Sequence, residues 1–282
     1  MPPRRSLLFV PADQDAKIDK ALGLASDGVI LDLEDGVAPA RKTEGRAGAL
    51  RALETRDFSA RERLLRINAL DSPWGRDDLS ALRTARGRPD TVIIPKINGP
   101  EQVLDVAGAL EGTTVTLLPH IETARGLLAA AAIAACHARV GGLFFGAGDF
   151  LVETGGQRTP MTLLYPRSVV IAAAAAAGID AIDTPYFRLG DLAGLEADAR
   201  AAAELGFAGK AAIHPEQIAV LNRIFTPSPE RIAWAERVMT IAEQDSRGAF
   251  VVDGEMADAM TVRVARRVLA TARALQAADH GR

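Results

Sequence analysis

Two short stretches hold the residues best placed to do chemistry: Leu117-Leu118-Pro119-His120-Ile121-Glu122-Thr123 and Leu143-Phe144-Phe145-Gly146-Ala147-Gly148-Asp149. Each is an apolar run ending in an acid, and each is followed by a segment that reads as helix or loop. An apolar run of this length between glycines and prolines suits a buried parallel strand. A carboxylate emerging from such a strand cannot stay charged against an apolar core, so it needs water, a cation or a metal. Two of them on neighbouring strand ends could share one hard divalent ion. Magnesium is the simplest choice, because it accepts one or two carboxylates and completes its shell with water and substrate oxygens. Taken singly, each acid is better served by a local role: Glu122 as the cap of a helix starting near Ala124, Asp149 in an Asx-turn of a glycine-rich loop. The elements around them decide between these readings.

Those elements alternate. Strand-like runs at Ser6 to Pro11, Gly28 to Leu33, Leu64 to Asn68 and Thr91 to Lys96 precede the two stretches above, and Ile179 to Asp183 and Phe207 to Ile213 follow them. Helical patterns lie between: Gln14 to Ala25, Arg41 to Thr55, Asp77 to Arg86, Pro100 to Leu110, Ala124 to Cys136, an alanine-rich run ending at Ala177, and Leu189 to Leu205. A loop from Thr154 to Thr162 is expected before the alanine helix. Eight strand candidates alternating with helices argue for an α/β fold of the (β/α)₈ TIM-barrel kind rather than a doubly wound sheet. No Gly-x-Gly-x-x-Gly follows the first strand, as a dinucleotide fold would require. The barrel is expected to occupy residues 1–225 and to close at Phe225-Thr226-Pro227-Ser228-Pro229. Residues 226–282 read as a C-terminal helical extension: a helix from Glu230 to about Gln244, a linker at Ser246-Arg247-Gly248, and a helix from Glu255 to about Ala274. Such an extension must bury its apolar face somewhere, and a subunit boundary is a natural place, so a homo-oligomer is expected.

Composition narrows the function classes. With 48% apolar and 24% charged residues over 282 positions, the chain has the core of an ordinary globular protein. A net charge of −3 leaves no basic stripe for nucleic acid. No apolar run looks long enough to cross a bilayer; Ala172 to Ala177 is short, and Leu127 to Cys136 is alanine-rich rather than lipid-seeking. The single cysteine, Cys136, excludes an internal disulfide and a cysteine-based metal cluster. Met1 to Arg5 is basic, but no h-region follows it. A cytoplasmic protein is expected.

In a (β/α)₈ barrel the active site lies at the C-terminal ends of the strands. The polar residues there are Asp32, Glu34 and Asp35, then Arg66 and Asn68, Lys96, Glu122, Asp149, Asp183 and His214. Many acids, few cations and almost no nucleophile suit a reaction in which a carboxylated substrate is held by Arg66 and a metal while a developing enolate is stabilised. Reversible cleavage of a carbon–carbon bond next to a carbonyl meets that description. Lys96 follows Pro95 among acids that keep it charged, which counts against a Schiff base. His214 reads as a helix-start residue before Pro215, and His120 as structural. The acids after the second strand could orient Arg66 and metal-bound waters.

Arg5-Ser6-Leu7-Leu8-Phe9-Val10-Pro11, Val29-Ile30-Leu31-Asp32-Leu33-Glu34-Asp35, Arg66-Ile67-Asn68, Ile121-Glu122-Thr123-Ala124, Gly146-Ala147-Gly148-Asp149 and Gly206-Phe207-Ala208-Gly209-Lys210-Ala211-Ala212-Ile213-His214-Pro215 together resemble the citrate lyase beta-subunit group of the HpcH/HpaI aldolase superfamily, in order and over nearly the whole chain. The resemblance implies a Mg²⁺-dependent TIM barrel, a trimer or hexamer, that cleaves or forms a CoA thioester of the citryl-, citramalyl- or malyl-CoA type, releasing acetyl-CoA and a 2-oxo acid. By position, Glu122 and Asp149 resemble the metal ligands and also contact substrate, Arg66 resembles the residue that holds substrate oxygens, and the region from Phe9 to Lys20, with Lys20 at a basic position, is implied to face CoA. Ala249 to Asp258 is similar to the segment that lends an aspartate to a neighbouring active site, with Asp258 at that aspartate as catalytic acid/base. Ala257 and Met260 depart from the pattern, standing where a bulkier apolar residue and a proline are common. Two alternatives follow from the same resemblance: a beta subunit working only within a citrate lyase complex on an acyl carrier protein, and a CoA-free aldolase on a pyruvate-type substrate.

Overall fold

The apolar runs become the strands of one closed parallel barrel in the computed structural model, which describes residues 3–244 and 248–280. In chain order the elements are β1 (Ser6–Pro11), α1 (Asp15–Leu22), β2 (Gly28–Asp32), a 3-10 turn (Pro39–Arg41), α2 (Lys42–Thr55), β3 (Glu62–Arg66), α3 (Gly75–Thr84), β4 (Thr91–Ile94), α4 (Pro100–Ala109), β5 (Thr116–Ile121), α5 (Ala124–Leu128), α6 (Ala130–Ala135), β6 (Gly142–Phe145), α7 (Ala147–Thr154), α8 (Pro160–Ala177), β7 (Asp180–Asp183), α9 (Leu192–Leu205), β8 (Gly209–Ala212) and α10 (Glu216–Ile224). Each strand pairs in parallel with the next, and β8 closes on β1 with Ser6 opposite Lys210 and Leu8 opposite Ala212. The expected (β/α)₈ architecture is the one observed.

The register of the interior positions the site. Leu7, Ile30, Leu64, Ile93, Leu118, Phe144, Ile182 and Ala211 form an apolar plug inside the barrel, separate from the larger core between strands and helices. Strand side chains alternate faces, so the residue two further on points inward again, one layer nearer the C-terminal mouth. That step leads to Phe9, Asp32, Arg66, His120, Gly146, Thr184 and Ile213, all of which line the mouth cavity. On β4 the chain turns away after Ile94, and Lys96 adopts a left-handed conformation (φ 53°).

Several local expectations are corrected. The helix expected from Ala124 to Cys136 is broken at Ala129 (φ −96°, ψ 2°), and the bend lets α6 lie along α8. The glycine-rich loop expected at Asp149 is instead the first turn of α7, where an acid is favoured by the helix dipole. Helix α8 spans 18 residues and is apolar enough to cross a membrane by length and composition, although Pro166 and Arg167 conceal this in the sequence. It serves here as a barrel helix, with Arg167 buried against Asp183 and Asp198.

After α10 the chain continues with α11 (Pro229–Gln244), a hairpin of β9 (Ala249–Val252) and β10 (Glu255–Asp258), and α12 (Ala259–His280). The last helix therefore starts at Ala259 rather than Glu255. Asp253 and Gly254 both have positive φ (51° and 87°), the two-residue Asp-Gly turn that matches strand twist. Ala235, Val238, Phe250, Val252, Ala257 and Ala265 give this segment its own small core. Of the expected linker, Ser246 and Arg247 lie outside the described residues. Helix α12 runs beside the amino-terminal face of the barrel, with Arg267 3.7 Å from Asp180.

Candidate active site

A cavity of about 540 Å³ opens at the C-terminal ends of the strands. On its floor, Arg66 at the end of β3 donates from Nε and Nη2 to the two oxygens of Asp32 at 2.6 and 2.7 Å. Its Nη1 stands 3.0 Å from Glu34 and 3.5 Å from Asp35, and the Phe9 ring lies 4.7 Å beneath the guanidinium. Burial works against the Asp32 charge, but Arg66 and the backbone N–H groups of Glu34 and Gly36 outweigh it and hold the carboxyl below its usual range. Gly36 is required here, since a Cβ would stand 2.6 Å from Asp32 Oδ2. Lys42 secures the same loop by donating to the carbonyls of Leu33 and Glu34 at 2.8 and 2.6 Å.

The local alternative for Glu122, as cap of the next helix, is not the arrangement observed. Thr123 is the cap, accepting from Gly126 N–H at 2.9 Å, which leaves the Glu122 carboxylate to the cavity. Its Oε1 accepts the Lys96 backbone N–H at 2.8 Å, and its Oε2 lies 3.0 Å from His120 Nδ1. Burial opposes the Glu122 charge, yet His120, Arg66 and the Lys96 N–H keep its pKa below the ordinary value. Asp149 is carried in on α7, whose first N–H, from Ala147, is anchored on Thr184 Oγ1 at 3.1 Å. Burial and the neighbouring Glu122 charge push the Asp149 carboxyl up. Lys96 Nζ bridges Glu34 at 3.0 Å and Asp149 at 3.6 Å. Burial alone would lower the Lys96 ammonium, but Glu34 and Asp149 hold it well above its usual value, so it is not free to form a Schiff base. Glu34 is pushed up to about 7, first by burial and then by Glu122 and Asp35, against the pull of Arg66 and Lys96.

This set fits a hard divalent cation. Among the described residues, Asp32, Glu34, Asp35 and Asp149 form ion pairs with the cations Arg66 and Lys96, Glu122 is stabilised by the Arg66 charge, and Lys42 stands behind the first three acids. Asp149 Oδ2 is buried with no hydrogen-bond donor. Among the described residues no three His, Cys, Asp or Glu side chains converge on one point. A two-carboxylate site with open positions is what magnesium uses when water and substrate complete its shell.

Glu122, Asp149, Arg66, Asp32, Glu34, Asp35 and Lys96 are thus brought together. Other candidates go elsewhere. Asn68 donates to Asp78 at 2.7 Å, and Asp183 turns outward into the helix layer against Arg167 and Lys210. His214 is half exposed, 3.4 Å from Glu216, in keeping with its reading as a helix-start residue. Lys20 is exposed in the last turn of α1 and does not line the cavity. Nor does Asp258, whose Oδ1 instead caps α12 by accepting from Met260 and Thr261 N–H at 2.8 and 3.1 Å. The Lys96 N–H was missed as a site group; Phe9, expected in a CoA-facing stretch, lies under Arg66 in the cavity, and His120, read as structural, belongs to the cavity wall. The signal for Phe9 and His120 was their place two residues beyond a plug residue on their strands.

Residues 5–215 match the profile of the HpcH/HpaI aldolase/citrate lyase family. The chain is 36% identical over 295 residues to the mitochondrial citramalyl-CoA lyase of Rattus norvegicus, an alignment covering 97% of this chain and 87% of that protein. It is 37% identical over 280 residues to a (3S)-malyl-CoA thioesterase of Cereibacter sphaeroides, covering 98% and 96% respectively. The crystal structure of CitE from Mycobacterium tuberculosis in complex with magnesium, acetoacetate and coenzyme A superposes with a TM-score of 0.79 at 35% identity, over 96% of this chain and 98% of that one.

Proposed function

The chain belongs to the HpcH/HpaI aldolase/citrate lyase family, and from that premise we propose that it is a Mg²⁺-dependent carbon–carbon lyase cleaving a 3-hydroxyacyl-CoA thioester of the citryl-, citramalyl- or malyl-CoA type. The observation that carries this reading is the acid pair Glu122 and Asp149 beside the fixed Arg66 in one mouth cavity. Magnesium held by Glu122 and Asp149 supplies a Lewis acid for the oxygens of the hydroxy acid. Arg66, locked against Asp32 and Phe9, neutralises charge developing on the thioester oxygen without having to reorganise. As the hydroxyl proton passes to the Asp258 carboxylate of a neighbouring copy, the carbon–carbon bond breaks and its electron pair passes to the thioester as an enolate, freeing the 2-oxo acid. Asp258 of a neighbouring copy then delivers a proton to the enolate carbon, which becomes the methyl group of acetyl-CoA.

Asp258 needs that neighbour because it lies outside the cavity of its own chain. The homo-oligomer is a trimer or hexamer in which residues 226–282 reach across the boundary. Coenzyme A runs from the mouth down the exposed face of α1, where Lys20 offers a cation to phosphate about 8 Å along the helix from Asp15. A single cysteine suits a reducing compartment such as the cytoplasm.

The test is acetyl-CoA release from citryl-, citramalyl- and malyl-CoA, with and without Mg²⁺, on wild type and Glu122→Gln. Cleavage of one ester that needs Mg²⁺ and falls by about 10³-fold in the variant is expected, since the cation accounts for several kcal/mol of the barrier. No cleavage of any ester by a folded oligomer would overturn the free-CoA reading and point to an acyl carrier protein within a citrate lyase complex.

A further inference from the structure

We propose that His120 is a positioning residue that aims the Glu122 carboxylate at the divalent cation, an inference that rests on the metal reading above. His120 lies two residues before Glu122 at the end of β5, so both side chains point into the barrel one layer apart. Its ring is 4% exposed and stacks on Phe144 with centroids 4.5 Å apart and planes at 26°. Nδ1 stands 3.0 Å from Glu122 Oε2 but off the straight N–H line, a close polar contact rather than a formed hydrogen bond, and among the described residues Nε2 is buried with no partner. Buried histidine nitrogens are ordinarily hydrogen-bonded. An apolar side chain would fill the same space above the plug without leaving a nitrogen unsatisfied. The one polar group the imidazole serves is therefore Glu122.

The other Glu122 oxygen is gripped from β4. Oε1 accepts the Lys96 N–H at 2.8 Å, and that N–H is aimed by the left-handed turn at Lys96, a conformation a non-glycine residue keeps only where its surroundings enforce it. A hydrogen bond on Oε1 and the His120 ring against Oε2 thus flank the two carboxylate oxygens, leaving the remaining lone pairs to the cavity shared with Asp149. Gly146 makes the room. A Cβ there would lie 2.5 Å from both His120 Nε2 and Glu122 Cβ, and Gly146 is also the residue from which α7 brings in Asp149. Partners of this kind act on metal affinity rather than on the reaction itself, and losing one typically costs about 10–100-fold.

The experiment measures Mn²⁺ binding by electron paramagnetic resonance, without substrate, on full-length oligomer checked by thermal melting. H120N places an amide N–H where Nδ1 was and should bind nearly as tightly as wild type. H120Q places its amide at Nε2, and H120F keeps the stacking but has no donor; both should bind about 10–100-fold more weakly. Wild-type affinity in H120F overturns the inference and leaves the metal site standing. If H120F does not fold, the amide pair decides, and H120Q binding as tightly as H120N overturns it equally. Undiminished Mn²⁺ binding by Glu122→Gln would instead overturn the metal reading itself.

Discussion

Two clusters of buried charge occupy the same barrel wall and differ in balance. Between the strands and their helices, Arg167 of α8 and Lys210 of β8 meet Asp183 of β7 and Asp198 of α9 at 2.5 to 3.0 Å. Two cations face two acids, and Lys210 and Asp183 are sealed from solvent. At the mouth, among the described residues, five carboxylates face Arg66, Lys96 and the buried Lys42; Lys96 and Asp149 are partly exposed, and Asp149 Oδ2 has no donor. A balanced, closed cluster has nothing left to bind and holds helices to the sheet. An acid-rich, open one stores repulsion that a cation and a substrate from outside relieve. The contrast is a general one: charge that satisfies itself is architecture, and charge left uncompensated around a cavity is a binding site.

The sharpest way to break this contrast is to ask whether the mouth is completed from outside its own chain. Asp258→Asn is expected to lose about 10²–10⁴-fold in turnover while still binding Mg²⁺, as removal of a general acid does. Coexpressed with Glu122→Gln, itself inactive, it should regain activity, because one chain's Glu122 and another's Asp258 then form an intact mouth. Absence of recovery in a confirmed mixed oligomer would return the site to a single chain.

A smaller effect separates the two clusters by stability. Asp183→Asn leaves Lys210 and Arg167 short of a partner and should cost about 3–5 kcal/mol in urea unfolding. Asp149→Asn in metal-free protein removes an acid whose charge the fold disfavours and should cost nothing or stabilise. Equal losses would erase the distinction between architecture and site.

The smallest expected effect is a pH dependence peculiar to the mouth. The Glu34 carboxyl sits at about 7 in the folded protein against 4.5 ordinarily, so the folded state holds its proton more tightly. That contribution is fully present below about pH 4.5 and is lost as pH rises through about 7. Metal-free wild type should therefore lose up to about 3 kcal/mol across that window relative to Glu34→Gln, measured by denaturant unfolding at each pH. Parallel curves would remove Glu34 from the strained set.

How much of this was legible in the chain follows from the range of the forces involved. Strand alternation is local, so the runs ending at Glu122 and at Arg66 announced the barrel, and a step of two beyond Leu118 or Leu7 already pointed to His120 and Phe9. The Asp253-Gly254 hairpin was equally local and was passed over for a helix. Locally, Glu122 and Thr123 compete to cap α5, and the tertiary pull of Lys96 and His120 takes Glu122 away and leaves the cap to Thr123.

The sequence by itself determined the (β/α)₈ order and the acids that end its strands, since hydrophobic period and turn residues act over a few positions. Only the closed barrel decided which of those acids would share a cavity. Arg66 meets Asp32 across 34 positions and Glu122 meets the Lys96 N–H across 26. Asp183, equally acidic and equally placed at a strand end, was turned outward to Lys210. Such pairings depend on the register in which neighbouring strands dock, which no local pattern encodes.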